Sequence, residues 1–181
     1  STRNDDVGIW QRVLAGEPAA FEEAVAKYQN LVAAVAYSST GNFALSEEVT
    51  QETFWQAWRQ RFQLRDHARL APWLCGIARN LAAQTSKKES RHVAVELDSN
   101  SGSTFDDPAQ NSISTEERAI VWETLAEIPE TYRESLVLFY REGHSMAEVA
   151  AALDVTIDVA KQRVHRGREL LRATLATRIE D

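Results

Sequence analysis

The sequence predicts an all-α fold: two small helical domains joined by a flexible linker. Apolar residues recur at three- and four-residue spacing, as in Phe21, Val25, Tyr28, Leu31, Val32 and Val35, which is one face of a helix. No long stretch alternates with the two-residue period of a strand, and Gly and Pro are sparse, at seven and four residues. The helical pattern stops between about Glu89 and Ile113, a segment rich in Ser, Asp and Asn with Gly102 and Pro108. A chain of 181 residues suits one domain or two small ones, and this interruption selects two. They are expected at 1–90 and 114–181, with the linker at 91–113.

Four helices are expected before the linker, at roughly 6–15, 18–37, 47–61 and 72–88. Pro18 suits the first turn of the second, because its missing N–H is not needed there. The third carries Glu47, Glu48 and Glu52 within two turns, with an apolar face of Val49, Phe54, Ala57 and Trp58. Acids early in a helix are favoured by its dipole, so they could serve the helix alone. After the linker, Ser114 and Glu117 form a capping box for a helix to 127. Pro129 opens another through Leu136, Leu138 and Phe139 to 142, with Gly143 as its stop.

The stretch from Ser145 to Arg168 reads as a helix-turn-helix. Ser145 and Glu148 form a capping box, so a helix begins at Met146 and buries Val149, Ala150 and Leu153. Thr156 caps a second helix, with Ile157, Ala160, Val164 and Leu171 inward. Lys161, Gln162, Arg163, His165, Arg166 and Arg168 are left mostly outward, where long side chains reach phosphates and base edges in a major groove. The same pattern also suits a solvated helix of a bundle.

Composition narrows the function classes. No apolar run approaches membrane-spanning length, and STRNDD is not a signal peptide, so a soluble, cytoplasmic protein is expected. Cys75 is the single cysteine; beside Trp73, Leu74 and Ile77 it reads as a small buried hydrophobe. The net charge of −7 is unevenly spread: 59–91 carries +6, 161–178 carries +5, and the rest −18. Two basic islands in an acidic body suggest two local phosphate contacts. No nucleophile–base constellation, metal-ligand spacing or phosphate-cradling Gly loop is recognisable, so neither an enzyme nor a metal or cofactor is expected, and no small-molecule substrate.

The segment from Leu125 to Leu175, LAEIPETYRESLVLFYREGHSMAEVAAALDVTIDVAKQRVHRGRELLRATL, resembles region 4 of bacterial extracytoplasmic-function (ECF) sigma factors. SEEVTQETFWQAW and PWLCGIARNLA resemble region 2 of the same family. Both motifs stand in the family's order on either side of a linker, and together they cover nearly the whole chain. Two departures concern the second domain: Asp154 stands where the turn usually has Gly, and Val159 with Ala160 replaces a usual Thr-Val pair. Asp takes the left-handed turn conformation at modest cost, so the fold is not threatened.

The resemblance implies partners and residues. The third helix would dock on the clamp of core RNA polymerase through Glu47, Glu48, Gln51 and Glu52, with Leu45 where many relatives have an acid. The minus-10 promoter element would be met by Arg65, His67 and Arg69 in the loop, and by Trp73, Arg79, Asn80, Gln84, Lys87 and Lys88 on the helix after it. A base drawn out of the stack needs a pocket, polar groups and cations, and this set offers them. The minus-35 element would be read by Thr156, Asp158, Lys161, Gln162, Arg163, His165, Arg166 and Arg168. The linker acids Glu96, Asp98, Asp106 and Asp107 would enter the polymerase's RNA path, or merely keep a tether solvated. Control could run through an anti-sigma factor, phosphorylation or expression. Two other classes stay open: a dimeric helix-turn-helix repressor or activator, and a sigma-like interaction protein that does not read DNA.

Overall fold

In a computed structural model, which describes residues 2–95 and 115–180, the regular elements are helices. They are α1 (Thr2–Leu14), α2 (Pro18–Thr40), α3 (Phe43–Arg59), α4 (Leu70–Val95), α5 (Thr115–Ala126), α6 (Glu130–Leu136), α7 (Met146–Leu153) and α8 (Ile157–Glu180). Among the described residues no helix is long and apolar enough to cross a membrane. Ser114 and the linker acids Glu96, Asp98, Asp106 and Asp107 lie outside the described residues.

Local chemistry sets the boundaries. Pro18 starts α2, and Gly41, at φ 62°, ends it by donating its N–H to the Tyr37 carbonyl at 2.9 Å. Asn42 then caps α3, its Oδ1 accepting from the Leu45 N–H at 3.1 Å. Helix α3 therefore begins a turn earlier than expected, and no acid lies in its first turn. Glu47 and Glu48 are not dipole-stabilising residues. Helix α4 continues to Val95, past the expected boundary at 90. The apolar period ends there because burial ends; nothing between Ile77 and Val95 is a Gly or Pro that would stop the helix.

The helix expected over 129–142 changes character midway. It is α-helical through Leu136 and then widens to a π turn over Val137–Arg141, closed by Glu142 N–H donating to Val137 O at 3.2 Å. Gly143, at φ 68°, follows, and His144 N–H donates to Leu138 O at 3.1 Å. Ser145 and Glu148 form the expected capping box. Asp154 takes the left-handed turn at φ 55° and ψ 46°, and Thr156 Oγ1 accepts from Val159 N–H at 3.2 Å to cap α8.

Two layers of core result. In the first half, α2, α3 and α4 pack together with α1 alongside. Trp10 is wholly buried there, donating Nε1–H to Arg61 O at 3.1 Å. The buried Asp6 carboxylate accepts from Tyr28 Oη and Lys27 Nζ, each at 2.6 Å, and burial with that bond drives the Tyr28 phenol upward. In the second half Ile128, Leu136 and Val164 form the centre of α6 against α8. Gly167 permits that approach, since a Cβ there would lie 2.9 Å from Leu136 Cγ. Ala160 and Val164 are buried as expected, whereas Ile157 is 46% exposed. The buried stripe of α8 runs through Ala160, Val164 and Gly167, and Ile157 lies in the turn before it.

The halves are not separate. Leu138, Val149, Ala150, Ala152 and Ala160 join Leu70, Leu74 and Cys75 in one buried cluster, with α7 seated on α4 and α6 on α2. Cys75 is fully buried, as its neighbours indicated, and burial pushes its thiol up to about 12.

Replacing Ser145 by Ala should lower stability by about 1 kcal/mol through loss of the cap. The bond from the Ser145 backbone N–H holds Glu148 below the usual carboxylate range. Its contribution is therefore complete above the ordinary carboxylate pKa and is lost as pH falls through the lower folded value. Thermal unfolding at neutral and acidic pH measures both; an unchanged Tm in Ser145→Ala contradicts the cap.

Candidate nucleic-acid and protein interfaces

Helix α8 presents its amino-terminal half to solvent. Asp158, Lys161, Gln162 and His165 are exposed and spaced to share one face, with Thr156 exposed at the cap and Arg163 half-buried at the edge. The side chains further along are already engaged. Arg166 reaches Glu169 at 3.2 Å, His165 lies 3.6 Å from the same carboxylate, and Arg168 donates to Tyr140 Oη at 3.0 Å. The first two turns are thus polar, mixed in charge and suited to base edges, and the cations concentrate behind them. Ile157, which the apolar pattern assigned to the interior, joins this exposed end and is a candidate for a thymine methyl.

The second surface is the outer face of α4. Asn80, Gln84, Lys87 and Lys88 are all exposed at spacing that keeps them in line. The loop before it is shaped by Asp66, whose Oδ1 accepts from Ala68 N–H at 3.1 Å, leaving Arg65 exposed and His67 half-buried. Three other candidates stand differently. Trp73 is half-buried with its ring edge-on to Trp10 at 5.5 Å, because the apolar face of α4 needs it for the core. Arg69 pairs with Asp154. Arg79 donates from Nε and Nη2 to Glu134 at 3.0 and 2.5 Å, and this bond raises its pKa.

The aromatic beside this loop is Phe62, 67% exposed, whose ring lies under the Arg61 guanidinium at 4.7 Å. Its signal in the sequence was an apolar residue outside the helical period, flanked by cations at Arg61 and Arg65. A flat ring beside cations is what an unstacked base seeks.

Helix α3 carries the protein-facing candidates. Glu47, Glu48, Gln51 and Glu52 are exposed along one side and Leu45 is half-buried; Glu52 lies 3.5 Å from Arg59. A further surface was not legible in the sequence: a cleft of about 620 Å³ whose apolar lining includes Val121, Trp122, Leu125 and Leu171, with Arg118 and Arg172 at its sides.

Comparison with known proteins agrees with these two halves. Residues 24–92 match the model for sigma-70 region 2, and residues 118–171 match that for sigma-70 region 4. A probable RNA polymerase sigma factor, RfaY of Xanthomonas campestris pv. campestris, is 31% identical over 92% of this chain, which spans 43% of that relative's length. The ECF RNA polymerase sigma-E factor of Escherichia coli K12 is 31% identical over 92% of each chain. In fold, the chain is similar to the sigma factor RpoE in its co-crystal structure with the anti-sigma factor NepR from Bartonella quintana, with a TM-score of 0.57, 24% identity, and coverage of 86% of this chain and 96% of that one.

Proposed function

Because the chain belongs to the ECF sigma factors, which bind core RNA polymerase and direct promoter-specific initiation and are not enzymes, we propose how its surfaces divide that work. The exposed first turns of α8 read the minus-35 element. This rests chiefly on one observation: Asp158, Lys161, Gln162 and His165 form an outward face directly after the Thr156 cap, with cations behind. Such a helix enters the major groove by its amino-terminal end, so Asp158, Lys161 and Gln162 meet bases while Arg166 and Arg168 clamp phosphates. Arg163, at the edge, serves either.

The minus-10 element falls to α4 and its preceding loop. Asn80 and Gln84 offer base-edge contacts, Lys87 and Lys88 follow the backbone with Arg79 between them and the loop, and Arg65, His67 and Arg69 precede the start of the helix. Phe62 supplies the stacking face, and Trp73, held against Trp10, a rigid half-buried ring at the start of α4. Glu47, Glu48, Gln51 and Glu52, with Leu45, form the polymerase contact, supported by their exposure and by having no first-turn role in α3. The acidic linker occupies the RNA path, and the protein works in the cytoplasm.

Glu48→Lys with Gln51→Ala should weaken co-purification with core polymerase at least several-fold while leaving far-ultraviolet circular dichroism unchanged, since exposed substitutions usually move stability by no more than about 0.5 kcal/mol. Unchanged co-purification would place the polymerase contact elsewhere.

Run-off transcription from a randomised minus-35 library tests the reading helix. Gln162→Ala should alter base preference at one or two positions by about 1–3 kcal/mol. Arg168→Ala should weaken all promoters alike and lower the salt slope by about one ion. A uniform loss from Gln162→Ala means that the helix is rotated on the DNA.

A further inference from the structure

We propose that Asp158 fixes a cytosine in the minus-35 element, accepting a hydrogen bond from its exocyclic amine and turning the other bases away. The proposal rests on the assignment of the first turns of α8 to minus-35 bases made above. Asp158 is exposed at the middle of the outward face. At about 100° per residue, the buried Ala160, Val164 and Gly167 mark the inward side of the helix, and Asp158 and Gln162 lie nearly opposite it. The four-residue step between them is about 6 Å along the axis, so Asp158 stands one turn nearer the end that enters the groove.

The helix does not need this acid as its cap. Thr156 Oγ1 accepts from Val159 N–H at 3.2 Å, and Thr156 O accepts from Ala160 N–H at 3.0 Å. Asp158 is the only acid between Ile157 and Arg168, a stretch that carries Lys161, Arg163, Arg166 and Arg168. The next carboxylate of the face, Glu169, is held by Arg166 at 3.2 Å with His165 at 3.6 Å, whereas among the described residues no ion pair engages Asp158. An uncommitted carboxylate in a groove walled by phosphates weakens binding unless a base donates to it.

One base edge meets it without conflict. A carboxylate accepts hydrogen bonds and has none to give. Cytosine offers its N4 amine with no acceptor beside it. Adenine sets the N7 acceptor next to its amine, and guanine and thymine present O6, N7 or O4. Lys161, exposed and three residues on, lies beside Asp158 on the helix and meets O6 and N7 of the paired guanine. Asp158 therefore selects chiefly by rejection, since its charge is opposed wherever cytosine is missing. An acid in the first turn also suits the helix dipole, but that role changes stability and not base preference.

The test uses core RNA polymerase reconstituted with the full chain and a promoter library randomised through the minus-35 element, with the transcripts sequenced. The parent should favour cytosine about tenfold at one position, within about two base pairs of the position that Gln162→Ala alters. Asp158→Asn keeps the shape and loses the charge, and its amide matches N6 and N7 of adenine, so preference at that position alone should move from cytosine to adenine. Asp158→Ala should flatten the position to within about twofold and raise output from promoters with another base there. Three results overturn the proposal: an Asp158→Asn variant with lower Tm and unchanged base preference, a uniform change over all promoters, or a parent preference for guanine or thymine at the position that Asp158 controls. Failure of the underlying assignment looks different. Were α8 not the reading helix, Gln162→Ala would leave base preference unchanged as well; an altered preference in Gln162→Ala beside an unaltered one in Asp158→Asn refutes the cytosine contact alone.

Discussion

An ionised carboxylate leaves water only with a cation beside it, at a cost otherwise of several kcal/mol. Glu134 is such a group, and Arg79, 55 residues away in sequence, is its partner. The pair ties α6, which packs on α2, to the side of α4. With α6 in place, Leu138 enters the core of the first half, Trp122 lies over Gly41, and the turn with Asp154 reaches Arg69. Apolar burial supplies most of the attraction, at roughly 25 cal/mol per Å². The ion pair supplies register, because a shifted α6 would leave a carboxylate buried alone.

The two surfaces proposed to meet DNA differ in accessibility. The face of α8 is open, and the lysines of α4 and Arg65 of the preceding loop are open too, whereas Arg69 pairs with Asp154 and Arg79 with Glu134. A net charge of −7 opposes attraction to DNA at large and leaves it to the two basic islands.

Much of the fold was legible because its signals are local. Ser145 with Glu148, Pro18, Gly143 and the Ala160 and Val164 stripe each act within a turn or two of helix. What was not legible depends on distant partners. Arg79 and Arg69 read as DNA-facing cations because nothing nearby indicates Glu134 or Asp154. Trp73 was given a minus-10 role by the resemblance alone, and Trp10, far ahead of it in sequence, lies edge-on against its half-buried ring. The end of α4 was placed early because the loss of apolar period marks loss of burial, which is not loss of helix. The π turn has no periodic signature of its own, and Ile157 fits an apolar period that α8 does not bury.

The dependence of the packed halves on one ion pair is measured most directly by a double-mutant cycle of Arg79→Met and Glu134→Gln, read by urea unfolding of the full chain. Coupled removal of a buried charge pair should give an interaction energy of about 1–3 kcal/mol, with each single variant costing more than the double variant would imply. Additive effects, within about 0.3–0.5 kcal/mol, would mean that the two side chains do not hold the halves together.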